Sequence, residues 1–269
     1  MLKYSLFLCD FDGTLVKGDG TISEKNVRAI ARYREKGGIF TVCTGRVLSA
    51  IMPRLAEAGI REGLIAALQG SVIADIATGE VLKYSHFPAA DGLEILEELT
   101  KRDLHVHVYE KDEFYCNKQD EALALYEKIC GVKAQIAPNL IETVKEKQIK
   151  IVKILVMCEP NSGLYEELEA AYGEKYFVTR SAPFLVEFLP KGQNKGTAVE
   201  FLAAHYRIPL KKVAAIGDEN NDLSMLEKAG GKFTVKSGDP ALQKIATVVA
   251  PCDEDGVAEA LGYAMGENE

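Results

Sequence analysis

The chain has 269 residues with 32 basic and 40 acidic side chains, a formal net charge of −8. That length can bury one large core or two smaller ones. The acidic balance argues against a nucleic-acid surface, which needs clustered Lys and Arg to displace phosphate counterions. The uncharged stretch at residues 64–74 is too short to span a bilayer, and the first apolar run, residues 4–9, is too short for a signal peptide.

In chain order, residues 4–9 read as a buried strand that stops at Asp10-Phe11-Asp12-Gly13-Thr14. A strand aims alternate side chains at one face, so Asp10 and Asp12 can address one point, and Gly13 lets the chain turn away. At average residue usage such a string arises by chance about 10⁻³ times in a chain of this length. The two carboxylates are therefore a candidate reaction centre. Ser23 is placed to cap a helix that carries Val27, Ile30 and Ala31 inward, and Gly37-Gly38 ends it. Residues 39–43 form a second strand. Thr44-Gly45-Arg46 follows at the start of a helix carrying Val47, Leu48, Ile51, Met52 and Leu55, in which Pro53 must lie in the first turn or bend the axis. A hydroxyl, an approachable glycine N–H and a helix N-terminus together make a small anion cradle.

Residues 64–68 give a third strand. Strand–helix–strand alternation with short connections predicts an α/β fold with a doubly wound, Rossmann-like parallel sheet, whose ligand crevice lies at the carboxyl ends of the strands. Asp10 and Thr44 sit at such ends.

From Val72 the pattern changes. Gly79 turns a hairpin, and residues 104–109 and 113–116 read as another around Lys111-Asp112. Helical stretches are expected near residues 90–101, 118–130 and 161–172, with strands at residues 151–157 and 184–188. His105, His107 and Tyr109 alternate onto one strand face while Val106 and Val108 take the other, so a polar aromatic face is expected to offer substrate contacts. Arg180 and Ser181 are further candidate contacts. Two histidines with no evident third ligand fall short of a metal set.

Pro190-Lys191-Gly192 then punctuates the chain, and alternation resumes with a helix at residues 197–205 and a strand at residues 213–216. An α+β domain at residues 84–188 is thus expected inside a discontinuous core of residues 1–83 and 189–269. Lys195 opens the helix of the returning core, where its charge opposes the helix dipole but suits a phosphate. After the next strand, Gly217-Asp218-Glu219-Asn220-Asn221-Asp222 supplies carboxylates and an amide suited to Mg²⁺. Cysteines at 9, 43, 116, 130, 158 and 252 have no C-x-x-C spacing, so reduced thiols and a cytoplasmic setting are expected.

These four motifs, in this order and each at a strand end or helix start, resemble the haloacid dehalogenase superfamily. The likeness is strongest to its Cof-type phosphatases, which carry a type IIB cap domain between the second and third motifs. It covers essentially the whole chain, including Ser181-Ala182-Pro183-Phe184-Leu185-Val186-Glu187 and Asp222-Leu223-Ser224-Met225-Leu226. One departure is Gln69-Gly70, where members often carry Asn-Gly.

The resemblance implies that Asp10 is a nucleophile forming an aspartyl-phosphate and that Asp12 is the acid–base. Mg²⁺ would be held by the Asp10 carboxylate, the Asp12 carbonyl and Asp218, with Asp222 behind them. Phe11, Thr44, Gly45, Lys195 and Asn221 would hold the phosphoryl group, and Arg46 could touch the substrate. An acid at position 12 is absent from dehalogenases and replaced by threonine in transport ATPases, which favours phosphatase chemistry. The implied partner is a small phosphorylated metabolite, such as a sugar phosphate, a phosphorylated cofactor or a nucleotide. Phosphomutase chemistry and a non-enzymatic phospho-ligand sensor are the alternatives.

Overall fold

The computed structural model describes residues 1–160 and 162–267. It divides into two compact units, one of Met1–Gly45, Arg54–Leu82 and Asn194–Glu269, the other of Arg46–Pro53 and Lys83–Gln193. The chain begins with β1 (Leu6–Cys9), α1 (Glu24–Glu35), β2 (Ile39–Val42), α2 (Leu48–Glu57), β3 (Leu64–Ala67), β4 (Val72–Asp75) and β5 (Val81–Tyr84). Next come α3 (Ala89–Lys101), β6 (His105–Tyr109), β7 (Phe114–Cys116), α4 (Glu121–Cys130), β8 (Gln135–Ile136), α5 (Leu140–Lys147), β9 (Lys153–Met157), α6 (Leu164–Tyr172), β10 (Phe177–Ala182) and β11 (Leu185–Leu189). The first unit is completed by α7 (Lys195–His205), β12 (Val213–Gly217), α8 (Leu223–Lys228), β13 (Gly231–Val235), α9 (Pro240–Gln243), β14 (Thr247–Val249) and α10 (Gly256–Met265).

The first unit is built on a parallel sheet of order β14-β13-β12-β1-β2. The doubly wound α/β architecture expected from the alternation is present. The chain leaves β1 toward β2 on one side and returns to β12 on the other, so the direction of winding reverses beside β1, where such sheets open a crevice. Pairing of Leu6 with Val213 through Cys9 with Ile216 brings the two strand ends level. The Asp10 N–H continues the ladder, donating to the Ile216 carbonyl at 2.9 Å.

β1 is an unbroken apolar run because both its faces are covered. Leu6 and Leu8 pack with Leu202, Met225 and Leu226. Phe7 points the other way, stacked on Phe40 at 5.9 Å and Phe233 at 6.2 Å, with the Tyr33 edge at 6.1 Å. α1 starts where the Ser23 hydroxyl accepts the Asn26 N–H at 3.0 Å.

β3 departs from the simple alternation. It pairs antiparallel with β4 in a separate sheet of order β3-β4-β5 and meets the parallel sheet through the bridge Cys43 to Ala66. The cause is local: Leu68, Gln69 and Gly70 have φ of 47°, 58° and 84°, a left-handed run that folds the chain straight back into β4. Pro53 lies inside α2, beyond its first turn.

The second unit is a sheet of order β10-β11-β9-β6-β7-β8, antiparallel except between β7 and β8. Val106, Val108, Ile154, Val156 and Phe188 pack against Leu96 and Leu99 of α3, Val144 of α5 and Leu168 of α6. The other face of β6 differs from the open surface expected. His107 is fully buried, and His105 and Tyr109 are nearly so. Tyr126 of α4 covers them, its ring centroid 4.9 Å from that of His107 and its hydroxyl bonded to that of Tyr109. These three side chains are interior to their unit because an amphipathic helix, with Leu123 and Tyr126 inward, lies over them.

Phe7 is the test of the first unit's second core layer. Phe7→Ala is expected to lower the unfolding free energy by about 3–5 kcal/mol, read as a fall in the urea midpoint, and a loss below 1 kcal/mol would contradict the packing described.

Candidate active site

The level ends of β1 and β12 place Asp10 and Asp218 as the first residues beyond adjacent strands. The tight loop after Asp10 is closed by the Leu15 and Val16 N–H groups, which donate to the Phe11 carbonyl at 3.0 and 2.9 Å. Within it Asp12 is exposed while Thr14 is fully buried. The Thr14 hydroxyl donates to Asp218 Oδ1 at 2.8 Å, so the fifth residue of the first motif orients the leading acid of the fourth. Gly13 is doubly required: its φ is +73°, and a Cβ there would stand 2.2 Å from Asp218 Oδ2.

Lys195 reaches this point from the first residue of α7. Asn194 caps that helix, accepting the Thr197 N–H at 2.9 Å while the Thr197 hydroxyl accepts the Asn194 N–H at 3.2 Å. The Lys195 ammonium, almost fully buried, donates to Asp10 Oδ1 and, at 2.6 Å, to Asp222 Oδ1. The second oxygen of Asp222 accepts the Asp218 and Glu219 N–H groups at 3.0 and 3.2 Å, which fixes the loop after β12. At Gly217 any side chain would collide with Asp222, since a Cβ would lie 2.3 Å from its Cγ.

Charge in this cluster is unbalanced, three carboxylates facing one ammonium. Burial pushes the Asp10 carboxyl well above its ordinary range, Asp222 adds to the rise and Lys195 opposes it. Burial followed by Asp222 raises Asp218 to about 7, against the Thr14 hydrogen bond. Burial alone would lower Lys195, but Asp10 and Asp222 outweigh it and hold the ammonium well above its usual value. One carboxylate oxygen from each of Asp10, Asp218 and Asp222 lies within 4.8 Å of the others. Hard oxygen donors that lack positive charge fit Mg²⁺. The Asp12 side chain is outside that group.

The remaining predicted positions divide between the units. Thr44 is buried beyond β2, with its N–H on the Ala66 carbonyl at 2.8 Å and its carbonyl accepting from Gln69 N–H at 2.9 Å. Gly45 follows it. Asn221 is buried and donates through Nδ2 to Gln69 Oε1 at 3.2 Å. Arg46 groups with the second unit, where its guanidinium donates to the Cys130 carbonyl at 3.2 Å.

In the second unit Ser181 donates to Glu187 Oε1 at 2.8 Å, and Glu187 pairs with buried Lys153 at 3.1 Å. Arg180 lies over the Tyr165 ring, 5.5 Å from its centroid. Sequence reasoning did not give roles to Thr14, Gln69 or Lys153. Thr14 had a signal in its place within the first motif, whereas the partners of Gln69 and Lys153 are far away in sequence. Burial lowers the proton affinity of His105 and, more strongly, of His107, and raises the Cys116 thiol to about 11.

Removing the ammonium would leave Asp10 and Asp222 buried without a counter-charge. Lys195→Met is expected to cost about 3–5 kcal/mol of stability in chelator, with part regained on adding Mg²⁺. Urea denaturation with and without the ion measures both, and equal midpoints for variant and parent in chelator would contradict the role given to Lys195.

Comparison with known proteins adds an independent line. A family model described as haloacid dehalogenase-like hydrolase matches residues 7–261. The HMP-PP phosphatase of Yersinia enterocolitica is 29% identical over 266 residues, covering 97% of this chain and 95% of its own. Among solved structures, a haloacid dehalogenase-like hydrolase from B. subtilis superposes with a TM-score of 0.89 at 24% identity, covering 96% of this chain and 99% of that one. A HAD subclass IIB sugar phosphatase superposes with a TM-score of 0.83 at 20% identity, covering 96% and 98%. Among the described residues no helix is long and apolar enough to cross a membrane. With four motifs gathered around one parallel sheet and a family match over nearly its full length, the chain belongs to the haloacid dehalogenase-like hydrolases.

Proposed function

We propose that the protein is a Mg²⁺-dependent phosphatase that hydrolyses a small phosphorylated metabolite through an aspartyl-phosphate on Asp10. The observation that carries this reading is the buried Asp10–Lys195–Asp222 chain beside Asp218, at the switch point of the sheet. A relative named HMP-PP phosphatase, similar over nearly its full length, supports a phosphoric monoester hydrolase acting on a small phosphorylated molecule.

The Asp10 carboxylate attacks phosphorus, and the bond to the leaving oxygen breaks. Lys195 holds Asp10 in place and donates to the phosphoryl oxygens as their charge develops, with Thr44, the Phe11 and Gly45 backbone and Asn221 as further donors. Asp12, exposed at the mouth of the loop, protonates the leaving alcohol and then takes a proton from the water that opens the aspartyl-phosphate. Asp222 keeps Lys195 and the Asp218 loop in register through both steps. Mg²⁺ would be held by the Asp10 and Asp218 carboxylates and the Asp12 carbonyl, where it would offset repulsion between a dianionic ester and this acidic cluster.

Asp10→Asn is expected to abolish turnover of a generic aryl phosphate. Asp12→Asn is expected to slow it by about 10²–10⁴-fold. Steady-state assays with Mg²⁺ and with chelator check both, and near-normal, Mg²⁺-dependent turnover by Asp10→Asn would refute the proposal. Release of inorganic phosphate without an isomerised phosphate separates hydrolysis from phosphomutase chemistry. Saturable binding without turnover across a panel of phosphate esters would instead mark a sensor.

A further inference from the structure

We propose that the second unit carries a zinc site formed by His105 Nε2, His107 Nε2 and Cys116 Sγ, chemically distinct from the acidic cluster of the first unit. β6 and β7 pair so that His107 stands directly opposite Cys116, and the two-residue period of β6 puts His105 on the same face. His105 Nε2 lies 3.2 Å from His107 Nε2 and 3.1 Å from Cys116 Sγ. All three ligand atoms fall within 4.8 Å of one another, and all three residues are buried. Tetrahedral Zn²⁺, with Zn–N of about 2.0–2.1 Å and Zn–S of about 2.3 Å, holds such atoms roughly 3.3–3.6 Å apart. The two separations made by His105 lie within about half an ångström of those values, and His107 and Cys116 must close on each other within the 4.8 Å limit.

In the metal-free protein protons bridge this triangle. His105 Nδ1 lies 3.2 Å from Asp120 Oδ2, which favours the tautomer with its proton on Nδ1 and leaves one lone pair on Nε2. That lone pair faces two atoms. His107 Nε2–H can donate to it while His107 Nδ1 faces the Tyr109 hydroxyl at 3.5 Å and the Cys116 S–H turns to the Lys118 carbonyl at 3.1 Å, which is the arrangement of the metal-free protein. When Cys116 donates instead, the His107 nitrogen is left over. One cation satisfies all three donors together, and its binding releases the thiol proton to solvent as the thiolate forms.

The surroundings match a metal site as well. A carboxylate behind a ligating histidine is the usual orienting partner of zinc-bound imidazole. Two nitrogens and a sulfur select a borderline-soft ion over Mg²⁺. A cleft lined by His105, Lys118, Asp120 and Tyr126 reaches the site at His105. Three protein donors leave the fourth position to water.

The test uses the full-length protein, stripped with chelator and kept in excess Mg²⁺ so that the acidic cluster is saturated, then titrated with Co²⁺ and afterwards with Zn²⁺. One equivalent of Co²⁺ is expected to bind with a thiolate-to-cobalt charge-transfer band that Zn²⁺ displaces and Cys116→Ser abolishes. Asp120→Asn, which retains a capping side chain for α4, is expected to weaken Zn²⁺ binding about 10–100-fold with an unchanged circular dichroism spectrum. It keeps the test decisive if Cys116→Ser does not fold. Absence of the thiolate band at saturating Co²⁺, or parental Zn²⁺ affinity in folded Cys116→Ser or in Asp120→Asn, would overturn the proposal. None of these readouts depends on turnover.

Discussion

The proposed reaction centre depends on one ammonium held away from water. Asp10, Asp218 and Asp222 are drawn together by the ends of two neighbouring strands and the loop that follows, and Lys195 is the positive charge among them. At about 4 Å and an effective dielectric of 20, each pair of charges is worth roughly 4 kcal/mol. Three lysine–carboxylate attractions of that size can offset the three carboxylate–carboxylate repulsions, but three negative charges against one positive still leave the cluster short of positive charge. The shortfall suits a hard cation and opposes a bare phosphate dianion, which is the physical ground for the Mg²⁺ proposed there.

The fold supplies that lysine with little freedom. A reciprocal cap between Asn194 and Thr197 fixes the first turn of α7, so an unfavourable charge at a helix start is held by the partners it meets there. Asp222 then links the lysine to the backbone after β12. Movement of either element would expose a buried charge, which makes the arrangement stiff.

What the sequence made readable was local. Asp10, Asp12, Lys195 and Asp218 stand at strand ends or helix starts that hydrophobic period and turn residues reveal, and the parallel sheet follows from the same alternation. Partnerships across long separations were not readable. Nothing near Thr14 announces its bond to Asp218, 204 residues away, and nothing near His107 announces that hairpin register sets Cys116 opposite it. β6 misled for a related reason: period two identifies two faces but does not say which is covered, and α4 covers the one that carries the histidines. β3 keeps a parallel bridge to the chain after β2, but the left-handed run that follows it folds in an antiparallel partner, β4, which the alternation did not announce.

That run has a consequence for how this sequence can change. Leu68 and Gln69 are side-chain-bearing residues in a conformation that costs roughly 1–2 kcal/mol each relative to the right-handed alternative. Asn tolerates it better than Gln. Gln69 is nonetheless one methylene longer than Asn, and its carbonyl oxygen meets the Asn221 amide at 3.2 Å. Selection for thermal robustness alone would move this position toward Asn or Gly, whereas selection for a fixed Asn221 keeps Gln. Ancestral or consensus redesign of the chain would thus exchange ground-state ruggedness against the placement of the buried Asn221 amide at a single codon.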